Sequence, residues 1–309
     1  MIIKQALRKT ANQLKKNKVE NPALEAEILL SYILKKDREF LFTYPEKELT
    51  VRQIKNYKEL IARRLAGEPI AYLTRQKEFY GLNFFVNKNV LIPRPETELM
   101  VEEAVSLISQ ISYRKSPHVI VDVGTGSGCI IITLAKQISD FGFRLPAGKA
   151  GISDFGLFAV DISKSALAVA KKNAKLHKVD KKIKFIHGNL LKPIIRNRKS
   201  HIANRKLIIL ANLPYLTPFQ IKSSLTIKYE PKKALDGGRN GLKYYKELFE
   251  QVKRLAKLKA VPISLFCEID PGQVKKIKKL AQSELPKAKI QIVKDLAGRN
   301  RLVIIENTI

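Results

Sequence analysis

The chain has 309 residues, of which 45% are hydrophobic, and that length suits two domains with a buried core. Lys and Arg number 58 against 28 Asp and Glu, a formal charge of +30, which suits polyanionic partners or reflects a surface solvated by lysine. Two cysteines, four histidines without metal-ligand spacing, no apolar run of ~18 residues and no apolar core near the N-terminus argue against a disulfide framework, a bound metal, a membrane span and a secretory signal, so a cytoplasmic protein is expected.

Residues 1–75 predict a helical domain. Asn21-Pro22 reads as a helix start, because Asn can cap and Pro suits the first helical position. Leu30, Ile33 and Leu34 then supply an apolar face. Thr50 and Gln53 form a capping box before VRQIKNYKELIARRLAG. Ile54, Tyr57, Ile61 and Leu65 follow at spacings of three, four and four, which is one helical face, and Gly67 is placed to end the helix. No catalytic constellation occurs here, so the region reads as a docking module. Residues 76–95, with KEFYGLNFFVNKNVLIP, turn aromatic and β-branched and predict a β-hairpin linker whose turn is Asn87-Lys88-Asn89. RPETELMVEEAVSLISQI then predicts an amphipathic helix that opens a third region, 96–309.

From about residue 117, HVIVDVG, LFAVDIS, KIKFIHG, KLIILAN, ISLFCEI and RLVIIEN read as buried strands alternating with helices. That pattern predicts an α/β domain with a mostly parallel sheet covered on both faces. ISDFG occurs at 138–142 and again at 152–156, a 14-residue offset that reads as a local duplication lengthening one crossover.

Inside the first of these strands begins VDVGTGSG, Val121 to Gly128. Its glycines, Gly124, Gly126 and Gly128, allow positive φ and close approach of a ligand to the backbone, with Thr125 and Ser127 between them. Asp161 ends the next strand, where a carboxylate can accept both hydroxyls of a ribose. The dinucleotide pattern is G-x-G-x-x-G. The G-x-G-x-G form here, after Asp122, resembles the S-adenosylmethionine site of class I methyltransferases. The glycine turn alone leaves nicotinamide-dinucleotide binding or a structural turn open. With Asp161 and Asn212 at successive strand ends, the three motifs converge on the sheet edge where ligands bind in such folds.

ILANLPYLTP carries the third motif, Asn212-Leu213-Pro214-Tyr215. An amide or aryl amino nitrogen is a weak nucleophile because its lone pair is delocalised. Catalysis of its methylation must aim that lone pair and provide acceptors for both N–H hydrogens as positive charge develops. The Asn212 side-chain oxygen and the Leu213 backbone carbonyl can be those acceptors. Pro214 pushes Leu213 towards an extended conformation, and Tyr215 can pack its ring on a planar target. Asn-Leu-Pro-Tyr resembles the spelling of ribosomal RNA adenine dimethylases, and Asn-Pro-Pro-Tyr that of glutamine methylases. Position 213 contributes a backbone carbonyl, so Leu in place of Pro loses a φ restraint and no acceptor. The tetrapeptide therefore identifies the nitrogen chemistry and leaves the substrate open.

RRLAGEPIAYL, EFYGLNFFVNKNVLIPRPETE, EPKKALDGGRNGLKYYKELF, CEIDPGQ and DLAGRNRLVII together resemble the release-factor glutamine methyltransferases (HemK/PrmC-like) nearly end to end. The resemblance implies a small helical domain that helps dock the release factor, a β-hairpin and a seven-stranded Rossmann-like class I methyltransferase domain. It implies methyl transfer from S-adenosylmethionine, without a metal, to the glutamine of the Gly-Gly-Gln loop of peptide-chain release factors, by a monomer. Gly124 to Gly128 would line the cofactor, Asp161 would hold its ribose, and Asn212 would touch cofactor and target. Asn189 and Leu190 stand where the family has Asp and an aromatic beside the adenine, and Arg75 replaces a usual Gly. Arg94, Glu96, Thr97 and Glu98 would shape the glutamine pocket or merely start a helix. The basic stretch Ile194 to Lys206 reads as a solvated loop, or as a weak contact to ribosomal RNA or to an acidic face of the release factor. A ribosomal RNA adenine N6-methyltransferase remains the alternative. A non-enzymatic ribosome-associated protein is a third reading, against which the intact motifs argue.

Overall fold

Thr50 and Gln53 form the reciprocal cap that the sequence encodes: the Gln53 backbone N–H donates to the Thr50 hydroxyl at 3.2 Å and the Thr50 N–H to the Gln53 side chain at 2.9 Å. They start α4 (Val51–Leu65) in a computed structural model that describes residues 1–111, 118–140, 155–196, 205–223, 227–259 and 262–307. Around it lie α1 (Ile3–Lys16), α2 (Pro22–Leu34), α3 (Arg38–Thr43) and α5 (Ile70–Thr74). Pro22 does open α2, but the Asn21 side chain makes no capping bond, so the fixed φ of Pro22 defines that start. Gly67 follows α4 at φ +97° and donates to the Arg64 carbonyl. Ile3, Leu29, Leu30, Leu41, Tyr57, Ile61 and Leu73 form the buried centre, where the Tyr57 hydroxyl donates to the Ala26 carbonyl. These helices group with residues 227–229 as one of two compact units.

The other unit begins at Lys77, inside a two-stranded hairpin of β1 (Gln76–Phe79) and β2 (Leu82–Phe85). The reversal lies at Tyr80-Gly81, with φ of +52° and +72°, and not at Asn87-Lys88-Asn89. A two-residue hairpin loop of this kind needs positive φ at both positions, and Gly81 supplies one without strain. The Asn87 side chain does make a turn, accepting from the Asn89 N–H at 2.9 Å, but it redirects the chain after β2.

A seven-stranded sheet follows in the order β5-β4-β3-β6-β7-β9-β8. Its strands are β3 (His118–Val123), β4 (Phe155–Asp161), β5 (Ile183–His187), β6 (Lys206–Ala211), β7 (Ile263–Glu268), β8 (Lys289–Lys294) and β9 (Asn300–Asn307). Pairing is parallel from β5 to β7, and β9 runs antiparallel to both β7 and β8. The edge strand β8 lacks the buried run that marks the other strands: none of KIQIVK is buried, and its residues are half-exposed or exposed. The flanking helices are α6 (Glu98–Ile111), α7 (Cys129–Asp140), α8 (Lys164–Leu176), α9 (Lys192–Arg196), α10 (Pro218–Ser223), α11 (Lys243–Lys259) and α12 (Val274–Glu284).

Strand side chains alternate between two cores. Val119, Val121 and Val123 join Tyr245 and Phe249 of α11 on one face, while Ile120 joins Met100, Val101 and Ile131 on the other. Register then builds the site. Val123 is paired with Val160 and with Ala211, and Ala211 with Cys267. Gly124, Asp161, Asn212 and Glu268 therefore emerge in a row at the carboxyl edge, where β4 and β6 flank β3 and the strand order reverses. Half of the repeated ISDFG, residues 141–142 and 152–154, and most of the basic stretch, 197–204, lie outside the described residues. No helix among the described residues is long and apolar enough to cross a membrane.

Candidate active site

The glycine turn is held from beneath by one carbonyl. Gly124 and Thr125 N–H both donate to Val160 O, at 2.8 and 3.1 Å. All three glycines have positive φ, from +56° to +82°. A Cβ on Gly128 would lie 2.7 Å from Ile132 Cδ1 of α7 and 3.2 Å from Ala170 Cβ of α8, so tight packing between these helices adds to the positive φ in favouring glycine. A Cβ on Gly126 would meet only the Gly124 carbonyl, at 3.9 Å, so this part of the turn stands open. Thr125 donates its hydroxyl to Asp122 Oδ2 at 2.6 Å. Burial pushes the Asp122 carboxyl up to about 7, and its Oδ1 has no hydrogen-bond partner.

Asp161 shapes the same turn. Its Oδ2 accepts from Gly126 N–H at 2.9 Å and its Oδ1 from Ser163 N–H at 2.8 Å. Burial raises its pKa, opposed by those two N–H groups and by His187. The loop after β5 joins it through Gly188 N–H, which donates to the Asp161 carbonyl at 3.0 Å. That loop carries Leu190 at φ +51° and Asn189, whose Nδ2 donates to Glu247 at 2.7 Å. Ser127 is buried, and its carbonyl accepts from Asn173 Nδ2 at 2.8 Å. Asn173 also exchanges two bonds with the Phe85 backbone, at 2.8 and 3.0 Å, and so clips β2 to the glycine turn. A buried Asn within a helix gave no signal of this in the sequence.

At the end of β6, both hydrogens of the Asn212 amide are committed. Nδ2 donates to Thr97 Oγ1 and to Glu268 Oε2, each at 3.0 Å, which leaves Oδ1 outside both bonds. The buried Leu213 side chain lies 3.1 Å from where a Gly124 Cβ would stand, so residue 213 touches the glycine turn. Tyr245 places its hydroxyl nearest the Glu268 carbonyl, with Leu213 O at 3.4 Å. Its single proton is thus directed at Glu268, and the Leu213 carbonyl keeps acceptor capacity. Tyr215 donates its hydroxyl to Glu268 Oε1 at 3.3 Å, and its carbonyl accepts from Gln273 Nε2 at 2.8 Å.

Glycines of the LDGGRNGL stretch make room for this loop. A Cβ on Gly237 would stand 2.6 Å from the Pro214 carbonyl oxygen, and one on Gly241 2.2 Å from that of Tyr215. Of the residues before α6, Thr97 is buried against Asn212. Arg94 is ion-paired with the buried Glu230, which also accepts from Ile92 N–H at 3.0 Å. Glu98 accepts from Tyr80 N–H at 2.8 Å, and Glu96 is exposed. Glu268 is the main residue missed from the sequence. Its signal was available, since a carboxylate ends ISLFCE as one ends LFAVD.

Residues 5–74 match the family model of the PrmC N-terminal domain, and residues 100–237 that of N-6 DNA Methylase. The release factor glutamine methyltransferase of Bacillus cereus is 33% identical over 309 residues, covering 99% of each chain. Those of Dictyoglomus turgidum and Clostridium acetobutylicum are 34% identical over 94% of each chain and 35% over 98% of each. Among solved structures, the hMettl16 catalytic domain in complex with MAT2A 3'UTR hairpin 1 matches with a TM-score of 0.53 at 14% identity, covering 90% of both chains. That likeness is one of fold, a class I methyltransferase sheet with flanking helices.

Proposed function

The chain belongs to the release factor glutamine methyltransferase family, and on that premise we propose that it transfers a methyl group from S-adenosylmethionine to the side-chain nitrogen of the Gly-Gly-Gln glutamine of a peptide-chain release factor. The observation that carries the chemistry is the Asn212 amide, whose two hydrogens are engaged by Thr97 and Glu268 while its oxygen is kept as an acceptor. The near full-length relatives do not favour the ribosomal RNA reading, which drew on Leu213 and on the charge.

The residues fit the cofactor. The turn is open above Gly126, and a carboxylate, Asp161, is hydrogen-bonded to its rim with lone pairs left for ribose hydroxyls. Gly124, Thr125, Gly126, Ser127 and Gly128 would line the cofactor, Asp161 would hold the ribose, and Asn189 and Leu190 would stand on the adenine side. S-adenosylmethionine, when bound, supplies an activated sulfonium methyl. Asn212 Oδ1 and the Leu213 carbonyl accept the two hydrogens of the glutamine amide and turn its lone pair towards that methyl. As the nitrogen gains charge, the same acceptors bind its hydrogens more strongly, so their effect falls on the transition state. Pro214 holds Leu213 extended, and Tyr215 backs the planar amide. Arg94, Glu96 and Thr97 form the pocket wall on the α6 side. Residues 1–75 dock the release factor. The protein acts as a monomer in the cytoplasm, where its basic surface steers an acidic face of the factor and makes weak contact with the ribosome.

The test offers labelled S-adenosylmethionine with purified release factor and, separately, ribosomal RNA. Mass spectrometry is expected to find one added methyl on the Gly-Gly-Gln glutamine. Label in RNA adenine with an unmodified release factor would overturn the assignment.

A further inference from the structure

A primary amide has nearly the same shape when its oxygen and nitrogen are exchanged, so some neighbour must decide which atom Asn212 offers to the glutamine. Thr97 cannot decide alone, because a hydroxyl both donates and accepts. We propose that Glu268 is the positioning residue that makes this choice: as a carboxylate it only accepts, so it draws Asn212 Nδ2 to itself and leaves Oδ1 for the substrate. The inference rests on the function proposed above.

Glu268 is built into its place. It is 2% exposed at the end of β7, its Oε1 receives the Tyr215 hydroxyl, and its main-chain carbonyl receives the Tyr245 hydroxyl. The titratable and charged groups around it are Tyr215 beyond β6, Tyr245 of α11, Arg301 of β9, Glu96 before α6, and the buried Cys129 and Cys267. Burial pushes Glu268 up to about 7; the Thr97 hydroxyl, Arg301 and Tyr215 favour its ionised form and Glu96 opposes it. Protonated Glu268 can donate to Asn212 Oδ1. The amide then reverses and sets an NH2 against the NH2 of the substrate, which removes the acceptor. Turnover should therefore be low when Glu268 is protonated and rise as pH passes about 7.

The test compares the wild type with Glu268→Gln, which keeps the shape and supplies a donor. At pH 8, kcat is expected to fall ~10–100-fold, as for loss of an oriented acceptor, while KM for release factor changes less than ~3-fold. The rise of kcat near pH 7 should vanish, and calorimetric binding of S-adenosylhomocysteine should be unchanged. Asn212→Asp combined with Glu268→Gln reverses the bond: the new amide at position 268 donates to the new carboxylate at position 212, whose other oxygen is left for the substrate. The double variant should exceed Glu268→Gln by at least ~5-fold in kcat. Wild-type kcat and an intact pH limb in Glu268→Gln would overturn the proposal, as would a loss confined to KM. A second arm needs no release factor. The Asn212 side-chain NH2 signal in NMR, identified by its loss in Asn212→Asp, should shift with a midpoint near 7 and stay still in Glu268→Gln. If even the wild type leaves release factor unmethylated, the function is wrong and this titration alone decides the role of Glu268; a flat signal sinks it.

Discussion

Asp161 fixes the glycine turn through Gly126 N–H, and under the proposed function the same carboxylate would also hold the ribose. Asp161→Ala should weaken S-adenosylhomocysteine binding by ~1.5–3 kcal/mol, the range for a hydrogen bond to a charged group. Calorimetry checks this, and unchanged affinity would mean the ribose lies elsewhere. Asn212→Ala should behave differently. It removes an acceptor needed as charge develops, so kcat should drop ~10²-fold or more with cofactor affinity held within a few-fold. Single-turnover methylation with calorimetry separates the two, and equal losses in both would reject the role. Gly124, Asp161 and Asn212 were legible because each chemistry restricts the residue to one or two types at a strand end. For Glu268 only its place at a strand end was legible, and for Tyr245 nothing was, because Glu268 acts by holding the Asn212 and Tyr215 side chains and Tyr245 by bonding the main-chain carbonyl of Glu268. Such contacts depend on register between strands far apart in the chain.

Among elements, the helix α4 could be read outright, since a capping box and an apolar face are both local. The hairpin turn was misassigned because two stretches carry turn chemistry and only backbone pairing distinguishes them. The attachment of that hairpin could not be read at all. Asn173 in the last turn of α8 and His177, the residue that follows the helix, both reach β2: Asn173 bonds the Phe85 backbone and His177 Nε2 the Asn83 carbonyl. Asn173→Leu strands the half-buried Phe85 N–H and the buried Ser127 carbonyl. It should cost about 1–3 kcal/mol of stability in urea unfolding, and should weaken cofactor binding because Ser127 belongs to the glycine turn. Stability equal to wild type would show that the clip is dispensable.

For the molecule as a whole, the formal charge of +30 bears on encounter with the substrate rather than on chemistry. Raising salt from ~50 to ~300 mM should increase KM for release factor several-fold and leave S-adenosylhomocysteine affinity nearly constant, because long-range steering is screened over ~10 Å and a short-range site is not. A flat KM would assign the lysines to solvation alone. The parallel register of β3, β4, β6 and β7 has a further consequence, for how such a chain tolerates insertions and deletions. Adding one residue inside β6 would turn Asn212 to the opposite face and advance it by ~3.3 Å, severing it from Thr97 and Glu268 together. The ISDFG duplication instead enters β4 at its amino end, across the whole strand from Asp161. Chain length can therefore drift at one edge of the sheet, while the other counts every residue.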